Sequence, residues 1–207
     1  MKKAWLIVFL VLLIDQGSKI WVKTNMFLGQ EYHVFDWFKI HFVENNGMAF
    51  GAEIFGKLFL SVFRIILIGG LIWLINKFYQ LGVHKAIKTA FALILAGAIG
   101  NVIDSIIFGP FFTSSKGQIS EFVWGGGELP VLYGKVVDML YFPLWKGFLP
   151  EWLPLWGGEF FVFFQPVFNI ADTAISIGVV FLILYNKSLS KAFNLVENLK
   201  QKKTETD

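Results

Sequence analysis

The feature that most constrains this chain is a set of four apolar stretches, at residues 4–23, 58–77, 86–108 and 167–185. Each is near the roughly 20 residues that a helix needs to cross a hydrocarbon core of about 30 Å. Lipid offers the backbone no hydrogen-bond partners, so such segments are close to obliged to be helical. Composition agrees. Hydrophobic residues make up 56% of the chain and charged residues only 16%, against about 25% charged in soluble domains. Such a chain cannot cover a globular surface with polar groups. The 24 Phe and 8 Trp suit the interfacial zones of a bilayer. The reading is an all-α membrane protein of four transmembrane helices, a single integral membrane domain over residues 1–207, without internal repeat or low-complexity tract.

The start, Met1-Lys2-Lys3 followed by apolar residues to Ile14, has the outline of a cleavable leader, but no small-x-small site follows. The chain runs on through Asp15, Ser18 and Lys19 into Ile20-Trp21-Val22, and this is read as a retained helix. Orientation follows from the lysines. Lys2 and Lys3 precede the first stretch, Lys77, Lys85 and Lys88 flank the loop between the second and third, and Lys187, Lys191, Lys200, Lys202 and Lys203 follow the fourth. An even number of spans puts them on one side. Both termini are expected to be cytoplasmic, with a charged tail at 186–207 and extracytoplasmic segments at 24–57 and 109–166.

The first outer segment alternates apolar and polar residues around Tyr32-His33-Val34 and Phe38 to Val43, a period of two that predicts a small extracytoplasmic β-sheet. The second is rich in Trp, Phe, Pro and Gly, as in Phe142-Pro143-Leu144-Trp145 and Trp152 to Gly158. It is expected to be an interfacial loop/helix segment.

Ionised side chains are rare inside membrane helices and usually face a partner or a cavity. The first stretch holds Asp15 and Lys19, four apart and hence on one face. The second holds Arg64, the third Asn101, Asp104 and Ser105, and the fourth Asn169, Asp172 and Ser176. Asp138 stands among apolar residues in the second outer segment. The topology brings Asp15, Lys19, Asp104 and Asp172 to a similar outer depth, which predicts a shared site. Each has a plainer explanation taken singly. Asp15 and Lys19 could be an intrahelical ion pair, Asn101 and Asn169 interhelical hydrogen-bond partners, Asp104 a partner of Arg64, and Asp172 a carboxylate favoured by a helix N-terminus.

With no cysteine, thiol chemistry and thiolate metal ligands are excluded. Ser18 and Lys19 are adjacent, so their side chains diverge on a helix and do not form a dyad. The three histidines, His33, His41 and His84, make no zinc motif. The net charge of +3 is too small to point to nucleic acid. Carboxylates remain. Two of them can hydrolyse an amide when one takes a proton from water and the other donates one to the carbonyl, in a site whose low dielectric pushes their pKa values apart. Which two of Asp15, Asp104, Asp138 and Asp172 do so is left open by spacing alone.

Five strings in order, Asp15-Gln16-Gly17-Ser18-Lys19, Asn45-Asn46-Gly47-Met48-Ala49-Phe50-Gly51, Gly97 to Asp104, Val136-Val137-Asp138 and Phe168 to Ala174, resemble the successive motifs of the type II (lipoprotein) signal peptidases. The resemblance covers residues 15 to about 178. It implies a four-span bacterial inner-membrane enzyme that cleaves diacylglyceryl-modified prolipoproteins before the lipidated cysteine. By motif position Asp138 and Asp172 match the catalytic aspartates. Asp15, Lys19, Asn45, Gly47, Gly97, Asn101, Asp104, Asn169 and Ala171 match positions that shape or stabilise the pocket. No metal or cofactor is implied. The partners implied are lipidated prolipoproteins, membrane lipids and cyclic peptide antibiotics such as globomycin, and a monomer is expected.

The sequence departs from that pattern twice. Ser105 stands where the family usually has Arg after the third-helix aspartate, and Arg64 is the candidate compensating charge. The stretch from Met139 to Pro166 is longer than usual. The alternative from another class is a small proton- or ion-coupled membrane transporter, since carboxylates in helices also mark ion pathways. It would more typically show duplicated halves or broken helices at matching positions, and the chain shows neither. A purely structural subunit would leave the outer polar cluster unexplained, and the Gly-x-Gly-Asp string of presenilin-like proteases is absent.

Overall fold

The computed structural model describes residues 1–46 and 56–204. Gly47, and with it the rest of the Met48 to Gly51 motif, lies outside the described residues. The chain runs α1 (Lys2–Asn25), β1 (Glu31–Phe35), β2 (Phe38–Asn45), α2 (Gly56–Gln80), α3 (Lys85–Ile107), β3 (Val136–Tyr141), β4 (Trp145–Phe148), β5 (Phe160–Phe163), β6 (Val167–Phe168), α4 (Ile170–Leu184) and α5 (Asn186–Thr204). Among the described residues α1, α2 and α3 are each long and apolar enough to cross a membrane. The fourth apolar stretch differs from the helix expected over 167–185. Val167 and Phe168 pair with β3 as a strand, and Asn169 caps a helix of only 15 residues. At about 1.5 Å per residue α4 spans less than a full hydrocarbon core. It meets α5 at an 86° bend, and the two helices are long and apolar enough to cross a membrane only when taken together.

The anticipated sheet is present and larger than expected. Its order is β1-β2-β3-β6, antiparallel throughout, with Val43 opposite Asp138 and Leu140 opposite Phe168. Asp138, expected in a loop, therefore sits on an interior strand. The segment expected as interfacial loop and helix contains no helix among the described residues between α3 and α4. It forms β3 and a separate β4–β5 hairpin instead. Pro143, Pro150, Pro154 and Pro166 interrupt any helical run, and Phe160-Phe161-Val162-Phe163 is made of residues that favour strands.

α3 is the axis of the helical layer. Its buried residues include Ile87, Ala90, Leu95, Ala96 and Gly97, and with Val8, Ile75 and Phe78 several of them form the inner apolar core. A second core of Val22, Met26, Phe42, Phe108, Phe112, Val137 and Met139 seats the sheet on the C-terminal ends of α1 and α3. Long apolar side chains on the opposite faces, such as Phe9, Leu13, Phe63 and Ile66, are exposed, as expected of surfaces wetted by lipid.

Close approach of α3 and α4 depends on missing side chains. A Cβ on Gly97 would stand 2.3 Å from the Ala171 carbonyl oxygen, and one on Gly100 would stand 2.6 Å from Asp15 Oδ2. Gly97→Ala is therefore expected to cost roughly 1–3 kcal/mol by overpacking, read as a lower thermal unfolding temperature in detergent. Gly69→Ala on α2, where a Cβ meets nothing within 4 Å, should unfold at or above the wild-type temperature.

Candidate active site

The site is built around the N-terminus of α4. The first turn of a helix leaves backbone N–H groups without intrahelical acceptors. Here Asn169 is the N-cap, and its Oδ1 accepts from Asp172 N–H at 2.9 Å. The neighbouring Ala171 N–H donates to Asp15 Oδ1 of α1 at 2.9 Å. One carboxylate thus caps a different helix across the bundle, at the end where the helix dipole favours negative charge.

Asp15 is held in turn by Lys19. The two sit one turn apart with Nζ to Oδ2 at 2.9 Å, and both are fully buried. Lys19 Nζ also lies 2.7 Å from Asp104 Oδ2 and 3.1 Å from Asn101 Oδ1. An ammonium carries three donors and no acceptor, and three oxygens surround this one. Asp104 therefore pairs directly with Lys19, and Arg64 acts on it through its field. Gln16, which the sequence reading quoted but gave no role, closes the group. Its Nε2 donates to Asp15 Oδ2, Asp104 Oδ1 and the Gly100 carbonyl at 3.0, 2.9 and 3.2 Å. A glutamine beside an aspartate is unremarkable in sequence, and only the crossing of α1 and α3 aims it inward.

The cation sets the orientation of Asn101. With Oδ1 turned to Lys19, the amide Nδ2 donates to Asp172 Oδ1 at 2.9 Å. Asn169 is fixed by its capping role, which leaves its Nδ2 donating to Asp138 Oδ1 at 2.7 Å and to Asn101 Oδ1 at 3.4 Å. Asn45, at the end of β2, donates to Asp138 Oδ2 at 3.1 Å. Asp138 is delivered by β3 and is 2% exposed, while Asp172 on the first turn of α4 is half-buried. The structure thus brings together Asp15, Lys19, Asn45, Asn101, Asp104, Asp138, Asn169 and Asp172. Gly97 and Ala171 form the helix contact beneath them.

The two aspartates differ in burial. Burial, then the Asp172 charge, push the Asp138 carboxyl up to about 7, against the opposing hydrogen bonds from Asn45 and Asn169. Arg64 on α2 lies within electrostatic reach of Asp172, Asp104 and Asp138. Ser105 is fully buried, and its Oγ donates to the Asn101 carbonyl at 3.2 Å. Gly134 N–H bonds the Ser105 carbonyl at 3.1 Å, and a Cβ on Gly134 would stand 2.5 Å from the Asp104 carbonyl oxygen. The loop is packed onto this end of α3, where a long side chain at position 105 would have to displace it.

A second buried group went unread in the sequence. Lys23 Nζ pairs with Glu44 Oε1 at 2.7 Å and donates to Ser115 Oγ at 3.1 Å, and Lys135 pairs with Glu44 Oε2 at 3.2 Å. Burial favours the neutral acid, but Lys23 and then Lys135 hold the Glu44 carboxyl below its ordinary value. The partners are more than twenty residues apart, so no local spacing signals them. Among the described residues no group of three or more His, Cys, Asp or Glu side chains is placed to hold a metal ion.

The sequence model of Signal peptidase (SPase) II matches residues 7–187. A lipoprotein signal peptidase of Porphyromonas gingivalis is 50% identical over 202 residues, covering 96% of this chain and 89% of that one. Its counterpart in Amoebophilus asiaticus is 38% identical over 195 residues, covering 88% and 78%. Among solved structures, a bacterial membrane enzyme determined by the in meso method at 1.9 Å resolution superposes with a TM-score of 0.57 at 26% identity, covering 89% of this chain and 92% of that one. Agreement of this extent leaves one assignment: the chain belongs to the signal peptidase II family, membrane aspartic peptidases that process lipoproteins.

Proposed function

We propose that this protein removes the signal peptide from diacylglyceryl-modified prolipoproteins by water attack at the bond before the lipidated cysteine, with Asp138 and Asp172 as the catalytic pair. The observation that carries the reading is the convergence of these two carboxylates on one relay of asparagine amides, Asp138 on Asn169 and Asp172 on Asn101. In this reading Asp172 takes a proton from the attacking water. Asp138, which keeps its proton near neutral pH, donates to the scissile carbonyl oxygen. The roles exchange as the amine leaves. Neither step draws on a cofactor.

The supporting topology is four spans with residues 167–185 as the fourth, the tail at 186–207 and both termini in the cytoplasm of a bacterial inner membrane, and the sheet outside. An outer-level pair then meets a cleavage site that the substrate's acyl chains hold at the bilayer surface, each buried CH₂ contributing about 0.8 kcal/mol. The aromatic β4–β5 hairpin, with Trp145, Phe148, Phe160 and Phe163 exposed, lies in that interface. Arg64 supplies, from α2, the positive field that an arginine after Asp104 would provide, and the enzyme works as a monomer open to cyclic peptide inhibitors such as globomycin.

Asp138→Asn and Asp172→Asn are each expected to lower cleavage of purified lipidated prolipoprotein by roughly 10²–10⁴-fold or more while leaving thermal unfolding near wild type. Full turnover by either folded variant would remove that residue from the mechanism. Because Asp138 must carry its proton, kcat/KM should fall as pH rises through about 7, with the apparent value belonging to the pair. A flat profile from neutral to alkaline pH would contradict the assigned roles. Arg64→Gln should lower turnover. An Arg64→Gln protein that folds and cleaves like wild type would end its compensating role.

A further inference from the structure

At the end of the bundle opposite the aspartates, a cavity of about 400 Å³ opens between α1, α3 and the end of α2. Lys2, Lys3, Lys85 and Lys88 line it, with Tyr79 and Ile7. Lys88 Nζ lies 4.6 Å from the centre of the Tyr79 ring. Among the described residues none of these four lysines has a carboxylate partner, whereas Lys19, Lys23, Lys39 and Lys135 each have one. Four cations gathered round one cavity repel one another, and among the described residues no carboxylate is paired with them. Two helices also begin here, α1 at Lys2 and α3 at Lys85, and neither has an acidic residue in its first turn. Their positive dipole ends add to the same field.

We propose that this cavity binds the phosphate of an anionic phospholipid of the inner leaflet. The lysines would meet the phosphodiester. Ile7 and the buried Ala4 form the apolar floor, and the adjoining face of α1 exposes Trp5, Leu6 and Phe9 along the path of the acyl chains. That continuity of a cationic rim with a lipid-wetted helix face selects a lipid headgroup over free phosphate. The side assigned to the cavity rests on the topology proposed above, and the binding itself does not.

Native mass spectrometry of the delipidated full chain in detergent tests the proposal, with phosphatidylglycerol, phosphatidylcholine or inorganic phosphate titrated in. Wild type should hold one phosphatidylglycerol in preference to phosphatidylcholine. The double variant Lys85→Gln/Lys88→Gln should weaken that binding on the order of 30-fold, and Lys187→Gln/Lys191→Gln on α5 should not. Prolipoprotein cleavage in detergent should persist in both, which keeps failure here distinct from failure of the peptidase reading. Equal binding of the two lipids, or undiminished phosphatidylglycerol binding by Lys85→Gln/Lys88→Gln, would overturn the site. Displacement of the lipid by inorganic phosphate at matching concentration would overturn its assignment to a lipid. A phosphatidylglycerol-binding protein labelled at Lys85→Cys from outside the cell would overturn the topology and leave the site standing.

Discussion

The buried ammonium of Lys19 is the interaction on which the rest of this structure depends. An ion with no exposure persists only if its field is compensated nearby, and here Asp15, Asp104 and the side-chain Oδ1 of Asn101 do so within 3.1 Å. Each partner has a second duty. Asp15 caps α4 through Ala171 N–H, Asn101 turns its amide to Asp172, and Asp104 holds Gln16 across the α1–α3 crossing. One cation on α1 thereby fixes the depth of α4, the direction of an asparagine and the position of a carboxylate. The glycine contacts of α3 follow from the same geometry, because Asp15 Oδ2 occupies the space a side chain on Gly100 would need.

The chemistry proposed for the two aspartates would be an electrostatic consequence of that framework. Asp138 arrives from a sheet and Asp172 from a helix N-terminus, so the pair joins two elements that no single stretch of chain could bring together. Their environments are unequal. Asp172 stays half-buried at the positive end of α4, and Asp138 is closed in behind Asn45 and Asn169. Such inequality is what two-carboxylate hydrolysis requires, one group to hold a proton and one to accept it. Membership of the signal peptidase II family separates this reading from the transporter that intramembrane carboxylates alone would also have allowed.

Much of this was legible in the sequence, for identifiable reasons. Apolar length marked α1, α2 and α3 to within a few residues, and the four-residue spacing of Asp15 and Lys19 announced their pairing. The alternation from Tyr32 to Val43 marked β1 and β2. What escaped was whatever depended on tertiary pairing. Hydropathy read Val167 and Phe168 as helix because a buried strand and a buried helix look alike over two apolar residues. Val136-Val137-Asp138 became a strand only because Val43, Glu44 and Asn45 of β2 pair with it. Gln16 and the Lys23–Glu44–Lys135 group gave no local signal, since their partners come from distant segments. The Met139 to Pro166 stretch was read correctly as aromatic, but its hairpin is set by the β4–β5 register.

The most direct test of the central claim is the rate at which Lys19→Met cleaves lipidated prolipoprotein, measured with its thermal unfolding in the same detergent. Removing one partner of a buried pair typically costs about 3–5 kcal/mol, and Asn101 would lose what fixes its amide. The prediction is therefore a lowered unfolding temperature and lost cleavage together. A Lys19→Met protein that melts with wild type and cleaves at the wild-type rate would contradict the account.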